Sequence, residues 1–471
     1  MIKKIIVIVL SISCLIVIYA NPYEYLHLSL LLKQVETFLS TLYEKNYPQT
    51  ITAWHESAKN RQPSDKPQAF ITPYPVFIEY LEKYITMQKK FLNDTKCLND
   101  KDITTLINKM INETESIYPF VLKYTVEQGT YFYLWGDTHG DIKALSESLY
   151  KLHQENVIND DLTIINKNAL FFFLGDLIDR GQYGPDTLTL LFMFATKNPR
   201  QVFIVRGNHE DVSMAQEYGF FQQLETFYKQ NNQTTYNYSD MQKKIVPFFN
   251  LLPVAAFVGC NQNYLQLCHG GFEARYNPKN LIESKNAICF EKINAFKISD
   301  HLWNNQYPDT SLENLGIDSG YKNTFKQLWD TETIPPFNLH TLGFLWNDFT
   351  QSNRTTYSKG RGIMIGKTLG EKIIAEYSQG ESKVKGIIRA HQHNKTMPGI
   401  FNIKNRGVYT LWNNQVLTTI GTGIYTGAQS YLKLIVHNNF DDWLLTSYNL
   451  DNEVWQERTA LLKDWKNAAE S

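Results

Sequence analysis

The sequence predicts a layered α/β fold preceded by a helical extension, and three observations carry that prediction. Five short apolar or aromatic runs have strand character: Tyr131 to Trp135, Ala169 to Leu174, Val202 to Val205, Tyr264 to Leu267 and Gly386 to Ile388. Each run ends in a polar cluster, and helix-periodic stretches lie between the runs. From about Pro22 to Tyr118 the pattern is helical.

In the extension, Leu26 to Leu42 and Val76 to Leu92 repeat apolar residues at three- and four-residue spacing, with loop character near Gln62 to Lys66. After the first strand, Ile142, Leu145, Leu149 and Leu152 share one helical face. Pro185 to Lys197 is a second helix, opened by a proline whose missing N–H costs nothing in a first turn. Phe171-Phe172-Phe173 reads as core strand. No internal repeat or low-complexity tract is present. The expected organisation is residues 1–20 as a targeting segment, 21–120 as the helical extension and 121–460 as the layered α/β domain.

The 471 residues are 43% hydrophobic and 14% aromatic, and the 20% that are charged nearly cancel, to a net charge of -1. That composition excludes disordered and membrane-channel classes, and the absence of a clustered basic footprint speaks against nucleic acid as a partner. Lys3 and Lys4 precede an apolar stretch from Ile5 to Tyr19, and Ala20 is small. This reads as a cleaved export signal, implying a periplasmic or secreted protein or one delivered into a host cell, with an uncleaved membrane anchor as the alternative. Cys97, Cys260, Cys268 and Cys289 form two disulfides or remain buried thiols, and their spacing matches no zinc module. The Asn-x-Ser/Thr triplets at Asn93, Asn112 and Asn237 say little in an Asn-rich chain.

The chemistry lies in the clusters: Gly136-Asp137-Thr138-His139-Gly140-Asp141, Gly175-Asp176-Leu177-Ile178-Asp179-Arg180-Gly181, Arg206-Gly207-Asn208-His209-Glu210, Cys268-His269-Gly270-Gly271 and Arg389-Ala390-His391-Gln392-His393. In layered α/β domains such strand ends converge. Asp137 and His139, two apart, offer a hard oxygen and an imidazole to one cation, and Asp176 supplies a carboxylate that can bridge two. Asn208, His269 and His391 complete a mixed N/O set suited to Mn, Fe or Zn and unsuited to purely oxygen-bound Ca. Glycines beside each cluster allow sharp turns and close approach. Glu210 reads either as a support for the ligands or as a helix-start carboxylate.

These clusters resemble those of the phosphoprotein phosphatase family of serine/threonine phosphatases, within the calcineurin-like metallophosphoesterase superfamily. The likeness runs from about Tyr131 to Leu445 and includes Glu217-Tyr218-Gly219-Phe220, the segment Phe248 to Ala256, and Leu345-Trp346-Asn347-Asp348. It implies an αββα sandwich of two mixed sheets. It also implies a first metal on Asp137, His139 and Asp176, and a second on Asp176, Asn208, His269 and His391, Mn being the expected ion. A hydroxide shared by the two ions would attack phosphorus. His209, oriented by Asp179, would be the general acid, with Arg180 and Arg361 clamping the phosphate. Tyr425, in Gly423-Ile424-Tyr425-Thr426-Gly427, resembles the tyrosine of the family's loop beside the active site, a core tyrosine being the other reading. Three features depart from the family. His393 forms a His-x-His pair with His391 and is a candidate additional ligand; the segment of about 275–345 is long and expected to form a cap; and the extension is added. The organisation is also similar to that of the exported Wip effector phosphatases. The expected activity is hydrolysis of phosphoserine, phosphothreonine or phosphotyrosine in proteins; the alternative is a small-molecule phosphoesterase acting on nucleotides or dinucleoside polyphosphates.

Overall fold

The computed structural model describes residues 47–64, 69–95, 119–230, 237–293, 312–329, 342–358, 361–393, 400–424 and 427–465. The targeting segment, the Leu26 to Leu42 stretch, Cys97, Asn112 and Tyr425 lie outside the described residues. Among the described residues no helix is long and apolar enough to cross a membrane.

The strands, in chain order, are β1 (Phe120–Thr125), β2 (Tyr131–Trp135), β3 (Ala169–Phe173), β4 (Val202–Ile204), β5 (Ala255–Cys260), β6 (Asn263–Cys268), β7 (Ile288–Lys292), β8 (Asp348–Phe349), β9 (Thr356–Ser358), β10 (Gly362–Ile365), β11 (Lys383–Arg389), β12 (Tyr409–Leu411), β13 (Val416–Thr418), β14 (Gln429–Ile435), β15 (Leu444–Asp451) and β16 (Val454–Leu461). They form a six-stranded mixed sheet, ordered β16-β15-β14-β2-β3-β4, a seven-stranded mixed sheet, ordered β12-β13-β11-β6-β5-β1-β7, and a small sheet, β8-β10-β9.

The pleat sorts side chains between layers. Phe132 and Leu134 of β2 and Phe172 of β3 join Val121, Phe257, Leu265, Leu267 and Ile387 of the other sheet in one core. Their alternates point the opposite way, where Trp135 stacks on Phe173 at 4.9 Å and Phe171 meets Phe194 of the helix Gly184–Lys197 edge-on at 5.0 Å. Strands β2, β3 and β4 are parallel and covered on both faces, which is why Ala169–Phe173 is a continuous apolar run rather than an alternating one. The crossovers carry the two expected helices, Ile142–Gln154 and Gly184–Lys197.

The extension packs onto this body. Its helix Tyr74–Asp94 stacks Tyr84 on Phe192 at 4.9 Å, and Phe91 and Leu92 enter the inter-sheet core. The helix Ile51–Ala58 lies against Ile142–Gln154, with His55 stacked on Tyr150 at 4.3 Å. Part of the segment expected to be a cap has another role: β7 pairs antiparallel with β1 and forms the edge of the seven-stranded sheet. Residues 294–311 and 330–341 of that segment lie outside the described ones. No disulfide joins Cys260, Cys268 and Cys289 to one another, and Cys260 and Cys268 are buried thiols.

Candidate metal centre

The clusters after β2, β3, β4, β6 and β11 meet at one end of the two sheets, and their backbones interlock before any side chain is considered. Thr138 and His139 N–H donate to the Asp176 carbonyl at 3.0 and 2.8 Å, and Gly140 N–H donates to Leu177. His391 N–H donates to Asp137 Oδ1 at 2.8 Å, and His209 N–H to Asp176 Oδ1 at 2.9 Å. Glu210 is wholly buried, and its oxygens accept the N–H groups of Asp176, Leu177 and Gly207, each at 2.8 Å. The helix start that follows is capped by Asp211 instead, so Glu210 ties two loops together and does not serve a helix dipole.

The imidazoles are aimed inward by what their outer nitrogens bond. His139 Nδ1 donates to Ile178 O at 2.8 Å and His269 Nδ1 to Leu174 O at 2.9 Å, which turns both Nε2 lone pairs toward the centre. There Asp176 Oδ2 lies 3.5 Å from His139 Nε2 and 3.1 Å from His269 Nε2, a bridging position. His269 Nε2, His391 Nδ1 and Asn208 Oδ1 converge at 2.9 to 3.1 Å. On the other side, Asp137 Oδ2 is 3.7 Å from His139 Nε2 and 3.2 Å from His393 Nε2. Three overlapping ligand groups follow among the described residues: Asp137 with His139 and His393, His139 with Asp176 and His209, and Asp176 with His269 and His391.

This donor set fits divalent cations. Several lone pairs converge with few protons between them, and the buried Asp137 Oδ2 and Asp176 Oδ2 have no hydrogen-bond donor. The electrostatics agree. Burial holds His139, His391 and His393 well below the usual histidine range, with Arg180 adding to the effect on His139 and His393 and Arg361 on His391. Neutral imidazoles are the ligating form. Burial pushes Asp137 up and would push Asp176 up, but the charges of His269 and His209 outweigh it and hold Asp176 well below its ordinary value. Burial lowers His269, yet the neighbouring Asp176 and Asp137 carboxylates more than reverse this and hold it above the ordinary histidine value.

Beside the centre stands a second array. His209 Nδ1 donates to Asp179 Oδ2 at 2.7 Å, and Asp179 Oδ1 accepts Phe220 N–H at 3.0 Å. The Arg180 guanidinium forks between two imidazoles, donating through Nη2 to His209 Nε2 at 3.0 Å and through Nη1 to His393 Nε2 at 2.8 Å. Arg361 donates twice to Asp348 Oδ2, at 3.0 and 2.8 Å, while Asp348 Oδ1 lies 3.9 Å from His391 Nε2. Gly423, Ile424 and Gly427, which flank Tyr425, border a cavity that also includes Arg180.

All other expected site residues are thus brought to one place. The sequence reading left Asp348, Arg389 and Gln392 without roles. Arg389 is fully buried and bonds Gly270 O, Gln392 Oε1 and Asn347 O, and Gln392 exchanges hydrogen bonds with the Phe349 backbone. Together they fasten the Trp346-Asn347-Asp348 segment under His391. Their signal was present: each sits inside a polar cluster or family signature.

The match to a family profile agrees with this donor set. The profile of the calcineurin-like phosphoesterases matches residues 131–395. Among curated proteins, the chain is 24% identical over 275 residues to the serine/threonine-protein phosphatase PP2A-like PPG1 of Candida albicans, covering 58% of this chain and 50% of that protein. It is 34% identical over 105 residues to the serine/threonine-protein phosphatase 6 catalytic subunit of Caenorhabditis elegans, 22% of this chain and 28% of the relative. It is 30% identical over 171 residues to the serine/threonine-protein phosphatase SIT4 of Candida albicans, 36% and 46%. The chain therefore spans half or less of the length of these relatives. Among solved structures, a protein serine/threonine phosphatase from Saccharomyces cerevisiae with similarity to human phosphatase PP5 aligns with TM-score 0.41 and 17% identity, over 77% of this chain and 90% of that one. A cold-active protein-tyrosine phosphatase of a psychrophile Shewanella species aligns with TM-score 0.39 and 15% identity, over 74% and 84%. With more than half its length matched by the family profile and the strand-end ligands assembled as described, the chain belongs to the calcineurin-like phosphoesterase family.

Proposed function

We propose that this protein is a dinuclear-metal phosphoprotein phosphatase that hydrolyses phosphoserine and phosphothreonine esters, and phosphotyrosine by the same chemistry. The observation that carries the reading is the pairing of two carboxylate-imidazole ligand groups with the Asp179–His209–Arg180 array beside them. The relatives named as serine/threonine-protein phosphatases support a phosphoprotein substrate.

Asp137, His139 and Asp176, with His393, would hold one cation; Asp176, Asn208, His269 and His391 would hold the other, and the mixed N/O set suits Mn. Bound divalent cations supply Lewis-acid charge and lower the pKa of a water towards neutrality. Arg180 leaves the two imidazoles and turns its planar fork to the phosphate oxygens, joined by Arg361, which Asp348 holds in place. That frees His209 Nε2 to take up a proton from solvent and, as the imidazolium paired with the Asp179 carboxylate at 2.7 Å, to donate it to the departing oxygen. The 1–20 segment directs export, and the cap expected within 275–345 would limit access.

The test is hydrolysis of para-nitrophenyl phosphate with Mn, before and after chelation, followed by phosphoserine, phosphothreonine and phosphotyrosine peptides against diadenosine tetraphosphate. Chelation should abolish turnover and peptides should be preferred. Metal-independent turnover, or turnover of the dinucleotide alone, would overturn the proposal.

A further inference from the structure

A cavity of about 720 Å³ opens beside Arg180. The extension lines it through Lys59, Asn60, Gln62 and Pro63, and the body through Lys143 on the helix Ile142–Gln154 and through Gly423-Ile424. The extension's wall is fastened to the residues just after Arg180. Gln182 N–H donates to Pro63 O at 2.9 Å, the buried Asp186 accepts Thr72 N–H at 2.8 Å and Ile71 N–H at 3.0 Å, and the Arg61 guanidinium lies 5.5 Å from the Tyr183 ring centre. The cavity is therefore formed before any substrate arrives, with Arg180 among its lining residues.

Most of the charge lining it is already engaged. Asp141 accepts from Ala144 N–H, Thr422 Oγ1 and Gly423 N–H at 3.0, 2.7 and 3.3 Å. Glu147 faces His55 at 3.1 Å, and Lys59 is paired with Glu56. The Lys143 side chain lines the cavity with no hydrogen bond or ion pair to a described residue, its charge acting only through space on Asp141, and Glu453, also in the lining, sits on an exposed hairpin turn. Amide side chains of Asn60, Gln62 and Asn452 add donors and acceptors suited to a polypeptide backbone.

We infer that this cavity seats the peptide segment flanking the phosphorylated residue, and that Lys143 is a specificity-determining residue selecting an acidic side chain there. The inference rests on the phosphoprotein reading and names its substrate class. In the fused extension the chain carries its own substrate wall. The test uses the full chain with Mn and two phosphopeptides that differ only by Glu or Gln beside the phosphoresidue. Wild type should favour the acidic peptide about five- to tenfold in kcat/KM, the difference lying in KM. Lys143→Glu should invert the preference and Lys143→Gln should erase it, the second serving if the first does not fold. An acidic-to-neutral ratio that is the same in wild type and variants overturns the inference. Wild type that turns over neither para-nitrophenyl phosphate nor any peptide marks failure of the phosphatase reading instead.

Discussion

At His209 two contacts define the residue: Nδ1 is committed to Asp179 and Nε2 faces Arg180. Replacing His209 with Ala should lower kcat by roughly 10²- to 10⁴-fold and leave bound metal unchanged; loss of metal in the same variant would show that it ligates instead. Asp179→Asn should fall in the same direction by a smaller factor, because the imidazole keeps its place but loses the charge that supports its protonated form. His393 is the sharper case. Its Nε2 is 3.2 Å from Asp137 Oδ2 but also accepts from Arg180, so it can ligate only when the guanidinium departs. If it does so, His393→Ala should reduce bound metal from about two ions per chain to about one at limiting concentration, measured by elemental analysis after gel filtration; an unchanged content and pH profile would sink the assignment. The residues that converge here, from Asp137 to His391, were legible as a group because each stands in a polar cluster at a strand end. The loop-clasping role of Glu210 was not, because its partners are backbone N–H groups 33 and 34 residues away at Leu177 and Asp176.

At the scale of the element, the strand ends hold the ligands by adopting backbone that most residues avoid. His139, Asp176, Asp179, Arg180 and His391 all have positive φ, from 45° to 69°. Such conformations cost of order 1 to 3 kcal/mol each and persist only where the surroundings over-determine them. The surroundings here are the interlocked loops. Gly207 shows how tightly they fit: a Cβ there would lie 2.2 Å from Asp176 N and 2.3 Å from Asp176 Oδ1. Gly207→Ala should therefore displace the bridging carboxylate, weaken metal binding and destabilise the fold by about 1 to 3 kcal/mol. Calorimetric melting with and without Mn checks both effects, and a variant with wild-type melting and activity would refute the account. Helix Tyr74–Asp94 was legible at nearly its full length from apolar spacing. Strand β7 was not, since Ile288–Lys292 is a short half-buried run whose pairing with β1 is set by residues far away in the chain.

At the scale of the whole molecule, the extension and the phosphoesterase body share one fastening with a measurable pH signature. Asp186 is fully buried, and burial pushes its carboxyl from 3.8 up to about 6 against the pull of the Ile71 and Thr72 N–H groups. The folded state thus holds its proton more tightly than the unfolded chain, so this group's contribution to stability is complete below about pH 4 and is lost as pH rises through about 6. Asp186→Asn should remove that component, and the stability difference between pH 4.5 and 7 should shrink relative to wild type in urea titrations; identical slopes would refute it.

What the sequence determined by itself was the layered α/β class and the strands that end in polar clusters rich in Asp, Asn and His, because periodicity and residue chemistry are local properties; the roles of acid and clamp came from the resemblance to a family. The tertiary structure decided that the extension is fastened to the segment after Arg180, that β7 closes a sheet edge, and that Lys143 lines a cavity beside the clamp. Those facts depend on hydrogen bonds and packing between residues more than a hundred positions apart, such as Thr72 with Asp186 and Gln182 with Pro63, and no local pattern encodes which distant partner a buried carboxylate or a loop carbonyl will meet.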